Sequence, residues 1–285
     1  MALFKKTLFK KSELGTIAAI ILLLAFGFSY RFEGPPTLTT WAGNFLICLI
    51  AVTMAVLVHE VAHKVVGAKL HIDVEPKLWI SGIVALLLGV LFSHGLFVFA
   101  APWAVAMRGR ALRPGMPWPH ISPKEKAVVA VAGILANLAF AIVAKLLVPF
   151  AGPFAEKLIS INCAIAVYNL VPFFTILPIL AFQWSSLKRI EAPYIEGEYV
   201  FFGNRPLWAF VFVFAILLSI SLKFLSIGLS LLISILGSIG LWIVWHYFFE
   251  PAPEPKGPWP IKSSLIATEE GPTIRTYKKI AKGLK

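Results

Sequence analysis

Charge is scarce in this chain. Only 14% of its 285 residues are Asp, Glu, Lys or Arg, against about 25% in an ordinary soluble protein, while 59% are hydrophobic. That balance argues against a soluble globular enzyme. Cysteine is nearly absent: Cys48 and Cys163 both sit in apolar segments, so there is no disulfide framework and no CxxC metal pair. A cleavable signal peptide is not evident, because the stretch before the first apolar run carries four lysines. Nor is there an internal repeat of the inverted transporter kind.

What is abundant is long apolar stretches. A helix rising about 1.5 Å per residue needs roughly 20 apolar residues to cross the hydrocarbon core. On that rule the spans fall near 15–30, 41–66, 124–149, 158–182, 206–222 and 225–249. The stretch 78–107 is interrupted by Gly82, Gly89, Gly95 and Pro102 and flanked by basic residues at both ends, which suits a re-entrant hairpin. The expected fold is therefore an all-α polytopic membrane protein of about six transmembrane helices plus that hairpin. Residues 1–250 would form the membrane domain and 251–285, opening on a Pro-rich linker, a cytoplasmic basic tail.

The net charge of +12 could suggest nucleic acid, but its distribution points to a membrane. With a cytoplasmic N-terminus, 22 of the 26 basic residues fall inside and only Arg31, Lys145, Lys157 and Lys223 fall outside. This asymmetry favours a multi-pass cell-membrane protein with both termini cytoplasmic, with the lipid bilayer and no nucleic acid as partner. Trp41, Trp118, Trp208, Trp242 and Trp245, with His120 and His246, suit an aromatic belt near the headgroups.

Chemistry enters at His59-Glu60-Val61-Ala62-His63, an HExxH pattern near the cytoplasmic end of the second span. Residues four apart share a helical face, so both imidazoles can reach one zinc ion while Glu60 reaches its water as general base. Zinc brings the pKa of such a water to about 7. A charged residue at the centre of a membrane helix costs on the order of 2.5–3.5 kcal/mol on insertion scales, so Glu60 in an apolar span marks a functional site.

Four segments together resemble the intramembrane site-2 protease metallopeptidases, in particular their compact archaeal or bacterial members. His59-Glu-Val-Ala-His63-Lys64 matches the family's first motif. Phe99-Ala-Ala-Pro102-Trp103-Ala-Val105 is similar to its FAAPGAV stretch, with tryptophan in place of glycine. Gly133-Ile-Leu-Ala-Asn137 resembles AGPLTN, and Asn169-Leu-Val-Pro172 the start of NxxPxxxxDG. The likeness covers roughly residues 40 to 190. It implies a zinc-dependent endopeptidase that hydrolyses peptide bonds in transmembrane helices of substrate proteins. It also implies that Asn169 donates to the oxyanion and that Pro172 breaks its helix.

One element of the pattern is absent. The family's third zinc ligand is the aspartate of NxxPxxxxDG, but the corresponding positions hold Leu177 and Pro178, and Asp73 is the chain's sole aspartate. Gln183, allowing an insertion, is the leading replacement in the ligand set His59, His63 and Gln183; Glu191, His94 and Asp73 are alternatives. The same gap leaves open a second reading, a catalytically degenerate relative with a binding or regulatory role. An extended substrate would pair with an edge of the 72–107 hairpin.

Overall fold

The computed structural model describes residues 9–30, 37–110, 120–172 and 194–249. They form seven α-helices and two strands: α1 (Lys11–Ser29), α2 (Leu38–Lys69), β1 (Ile72–Leu78), α3 (Ile80–Phe92), β2 (Trp103–Gly109), α4 (Pro123–Leu170), α5 (Glu196–Gly203), α6 (Arg205–Phe224) and α7 (Ile227–Phe249). Five of the helices, α1, α2, α4, α6 and α7, are long and apolar enough to cross a membrane. The described residues up to Tyr247 belong to one compact unit.

α4 spans 48 residues, but it is not one rod. Gly152, between Pro149 and Pro153, has φ 46° and ψ −124°, a conformation open to glycine and closed to most side chains. A straight helix of that length would separate its ends by about 70 Å, whereas both ends meet the eight-residue α5, about 12 Å long. Gly203 of α5 packs on Pro123 and Ala127, and Gly197 of α5 on the Leu170 carbonyl. The chain therefore reverses at Gly152 into two arms, 123–151 and 153–170, where the sequence places two separate spans. The second arm stops at Leu170 because Pro172 excludes helical geometry from Val171, which is extended at φ −73°, ψ 122°. The first arm begins at a capping box, with the Ser122 hydroxyl accepting from the Glu125 amide and the Glu125 carboxylate accepting from Ser122.

The stretch after α2 differs from an all-helical expectation. β1 and β2 form a two-stranded antiparallel ribbon with Ile72 opposite Gly109 and Leu78 opposite Trp103. Alternation explains it: Ile72 and Val74 are buried while Asp73 and Glu75 are half-exposed, a period-two pattern no helix would satisfy. The register brings the ends of the intervening segment together, so α3, 13 residues and too short to cross, goes out and an extended return leg comes back. Lys10, ahead of α1, pairs with Glu75 of β1 and holds its carboxyl below the usual carboxylate range. Lys64 of α2 donates to Glu13 of α1 at 2.7 Å and to the Val74 carbonyl at 2.5 Å, fastening the ribbon beside the HExxH turn.

Candidate metal centre

α2 supplies two of the three donors. His59 and His63 are one helical turn apart and fully buried, and their Nε2 atoms lie 3.0 Å from each other. The third donor comes from α5: Glu196, 1% exposed, places Oε1 2.6 Å from His59 Nε2 and 2.9 Å from His63 Nε2. These three side chains form a cluster able to hold a metal ion. The chemistry of the donor set fits zinc, which takes imidazole nitrogen and carboxylate oxygen together. A carbonyl can only accept, so the 2.8 Å contact from His63 Nδ1 to the Val129 carbonyl places the proton on Nδ1 and leaves the Nε2 lone pair for the metal.

Glu60 completes the centre. Its carboxylate is wholly buried, and neither oxygen has a hydrogen-bond partner among the described residues. A buried carboxylate without partners is expensive unless a proton, a water or a ligand meets it. Glu60 follows His59 directly on the helix that carries both imidazoles.

Gly133 of α4 forms the wall opposite. A Cβ there would lie 2.5 Å from His63 Nε2 and 2.8 Å from His59 Nε2, so the helix can approach the imidazoles only because the residue has no side chain. Trp103 of β2 closes another side, its ring edge-on to His59 with centroids 5.6 Å apart. The indole stands where the resembled motif has glycine. Val105, opposite Pro76 at a non-hydrogen-bonded pair of the ribbon, turns its N–H and C=O away from β1, which is why a proline is tolerated at 76. Val105 N–H donates to the Tyr194 carbonyl and its own carbonyl accepts from the Tyr199 hydroxyl, each at 3.0 Å.

Of the residues expected from the sequence, the structure brings His59 and His63 into one cluster, with Glu60 buried next to His59 in the chain, and it adds Glu196, which the sequence reading does not name. Gln183 and Glu191 lie outside the described residues. Asp73 is not in the cluster; it pairs with Arg110 across the ribbon. His94 is not in it either and sits in the turn after α3 with φ 52°. Asn169 is buried and donates Nδ2 to the Ile165 carbonyl of its own helix at 3.0 Å. A signal for Glu196 exists: Glu196-Gly197 has the form of the absent Asp-Gly pair, one methylene longer and displaced toward the C-terminus. Its glycine is what lets α5 press against the Leu170 carbonyl and carry the carboxylate to the histidines.

Comparison with known proteins agrees with this chemistry. No family model matches the chain, and no solved structure does. A protein of Methanocaldococcus jannaschii named "Putative zinc metalloprotease" is 26% identical over 218 residues, covering 74% of this chain and 93% of the relative. The chain is thus similar, over most of its length, to a protein named as a metalloprotease.

Proposed function

We propose that this chain is a zinc-dependent endopeptidase of the bilayer that hydrolyses peptide bonds in transmembrane helices of other proteins. One observation carries the reading: two histidines and a glutamate from different helices converge beside a fully buried Glu60 that has no partner among the described residues, within an apolar helix long enough to span a membrane. The name of the Methanocaldococcus jannaschii relative and the segments that resemble site-2 protease motifs support the same class.

His59, His63 and Glu196 would hold zinc, which supplies Lewis-acid polarisation of the substrate carbonyl and a readily ionised water. Glu60 takes the proton of the attacking water and hands it to the leaving amine as the C–N bond breaks. Trp103 and Gly133 exclude bulk water from both sides of the imidazoles, which strengthens electrostatics inside the site. The substrate must first unwind, because a helical peptide bond in lipid is satisfied by its own hydrogen bonds. The outer edge of β2 suits that extended form. It begins at Trp103 beside His59, and because Val105 N–H already donates to the Tyr194 carbonyl, a substrate strand would have to displace that contact to pair there.

With Glu196 as third donor, the main ground for a catalytically degenerate protein falls away. The membrane orientation we propose has the termini and the HExxH turn cytoplasmic. In support, this orientation puts 22 of the 26 basic residues on the cytoplasmic side. The direct test is cleavage of a model transmembrane substrate in liposomes by the wild type and Glu60→Gln. The wild type should cleave and the variant should not; equal cleavage by both would end the protease reading.

A further inference from the structure

α4 carries three buried asparagines in its two arms, and they behave differently. Asn162 donates Nδ2 to the Leu158 carbonyl at 2.8 Å, and Asn169 does the same to Ile165 at 3.0 Å. Each thus spends its donor one turn back on its own helix, the usual refuge of a polar side chain in an apolar bundle. Asn137 is 0% exposed, yet neither Nδ2 nor Oδ1 has a partner among the described residues. An unmet buried amide is destabilising, so a sequence that keeps one where leucine would serve is keeping it for something.

Its position says what. Four residues before it on the same face, Gly133 rests against the Nε2 atoms of His59 and His63. One turn earlier still, the Val129 carbonyl holds His63 Nδ1. Going from Val129 through Gly133 to Asn137 therefore follows α2 backward from His63 past His59, and Asn137 stands one turn, about 6 Å, beyond the metal donors. The face it occupies is the one α4 turns toward α2, along with buried Ala141 and Ala144.

We propose that Asn137 is a catalytic residue, its side-chain N–H donating to the oxyanion that forms on the scissile carbonyl. The inference rests on the protease reading and deepens it. In the step, water oxygen bonds to the carbonyl carbon, the π pair moves onto the carbonyl oxygen, and the water proton goes to Glu60. Collapse re-forms the carbonyl, breaks C–N and returns that proton to the amine. A donor fixed on a rigid helix and unspent in the resting site is suited to charge that appears only in the transition state. Asn169, the residue implied by resemblance, already has its N–H committed to Ile165.

The test compares Asn137→Leu, Asn137→Ala, Asn169→Leu and Glu60→Gln for cleavage kinetics, zinc content and thermal stability. Asn137→Leu and Asn137→Ala should lower kcat by about 10²–10³-fold, the usual loss of one oxyanion donor, with KM and zinc unchanged. Asn137→Leu should not lower the melting temperature, because it replaces an unmet amide with an apolar group. Asn169→Leu should retain most of kcat. If Glu60→Gln is inactive while both Asn137 variants keep full kcat, this assignment fails and the protease reading stands. Loss of kcat together with zinc or with thermal stability would make Asn137 structural and also overturn it. Cleavage surviving in Glu60→Gln overturns both.

Discussion

Gly133→Ala is the smallest change that should empty the proposed centre while leaving the helices intact. The added Cβ would lie 2.5 Å from His63 Nε2, 2.7 Å from His63 Cε1 and 2.8 Å from His59 Nε2, where ordinary contact begins at 3.4 Å. Each ring must therefore retreat by more than half an ångström, well beyond the tolerance of about 0.2 Å on a zinc–ligand distance. The rings have little freedom to do so. His63 is tied to Val129 behind it, and both meet Glu196 in front. Disturbing only a supporting contact costs about 10–100-fold in metal affinity. Displacing two ligands should cost at least about 100-fold, or about 2.8 kcal/mol. Helix stability moves the other way, since alanine is better than glycine by about 1 kcal/mol in a helix interior. The assay is zinc competition against a chelator, with thermal melting of the metal-free protein alongside. The expected result is a protein that melts normally and fails to hold zinc. Wild-type zinc affinity in Gly133→Ala would refute the placement of α4 against the histidines.

Three further outcomes follow from other parts of the molecule. Gly152→Val has open space around the new side chain, so its whole effect is the backbone at φ 46°; melting should show a loss on the order of 1–3 kcal/mol, and an unchanged melt would contradict the reversal there. The Lys10–Glu75 pair depresses the Glu75 pKa, so its stabilisation is present above the unfolded value of about 4.3 and is lost as pH falls through the lower folded value. Glu75→Gln should then melt below the wild type at pH 7 and converge with it in acid. A single cysteine at Lys223 should react with an impermeant thiol reagent from outside intact cells, and labelling from the cytoplasmic side alone would invert the proposed orientation.

The helices and half of the site are legible from residues because their signals are local. Apolar runs mark α1, α2, α6 and α7, and HExxH needs only the periodicity of one helix to bring His59 and His63 together. The ribbon is legible as a hairpin from Gly82, Gly89, Gly95 and Pro102, but its strands depend on pairing between residues about 30 apart, which a single stretch of sequence does not display. Glu196 is hidden for a similar reason. It follows Asn169 by 27 positions, where the resembled motif has eight, and the chemistry had shifted from aspartate to glutamate. Searching for an aspartate at fixed spacing leads to Leu177; searching for an acidic residue followed by glycine leads to Glu196. Asn137 and Asn169 look alike in sequence, and only three-dimensional hydrogen bonding separates the spent amide from the free one.

The claim that His59, His63 and Glu196 form a zinc centre is tested most directly by elemental analysis of the purified protein beside Glu196→Ala and Gln183→Ala. About one zinc per chain is expected in the wild type and in Gln183→Ala, and little or none in Glu196→Ala, because a three-donor site stripped of its only carboxylate loses both a ligand and its charge. Zinc retained in Glu196→Ala and lost in Gln183→Ala would contradict the account and move the third ligand to Gln183.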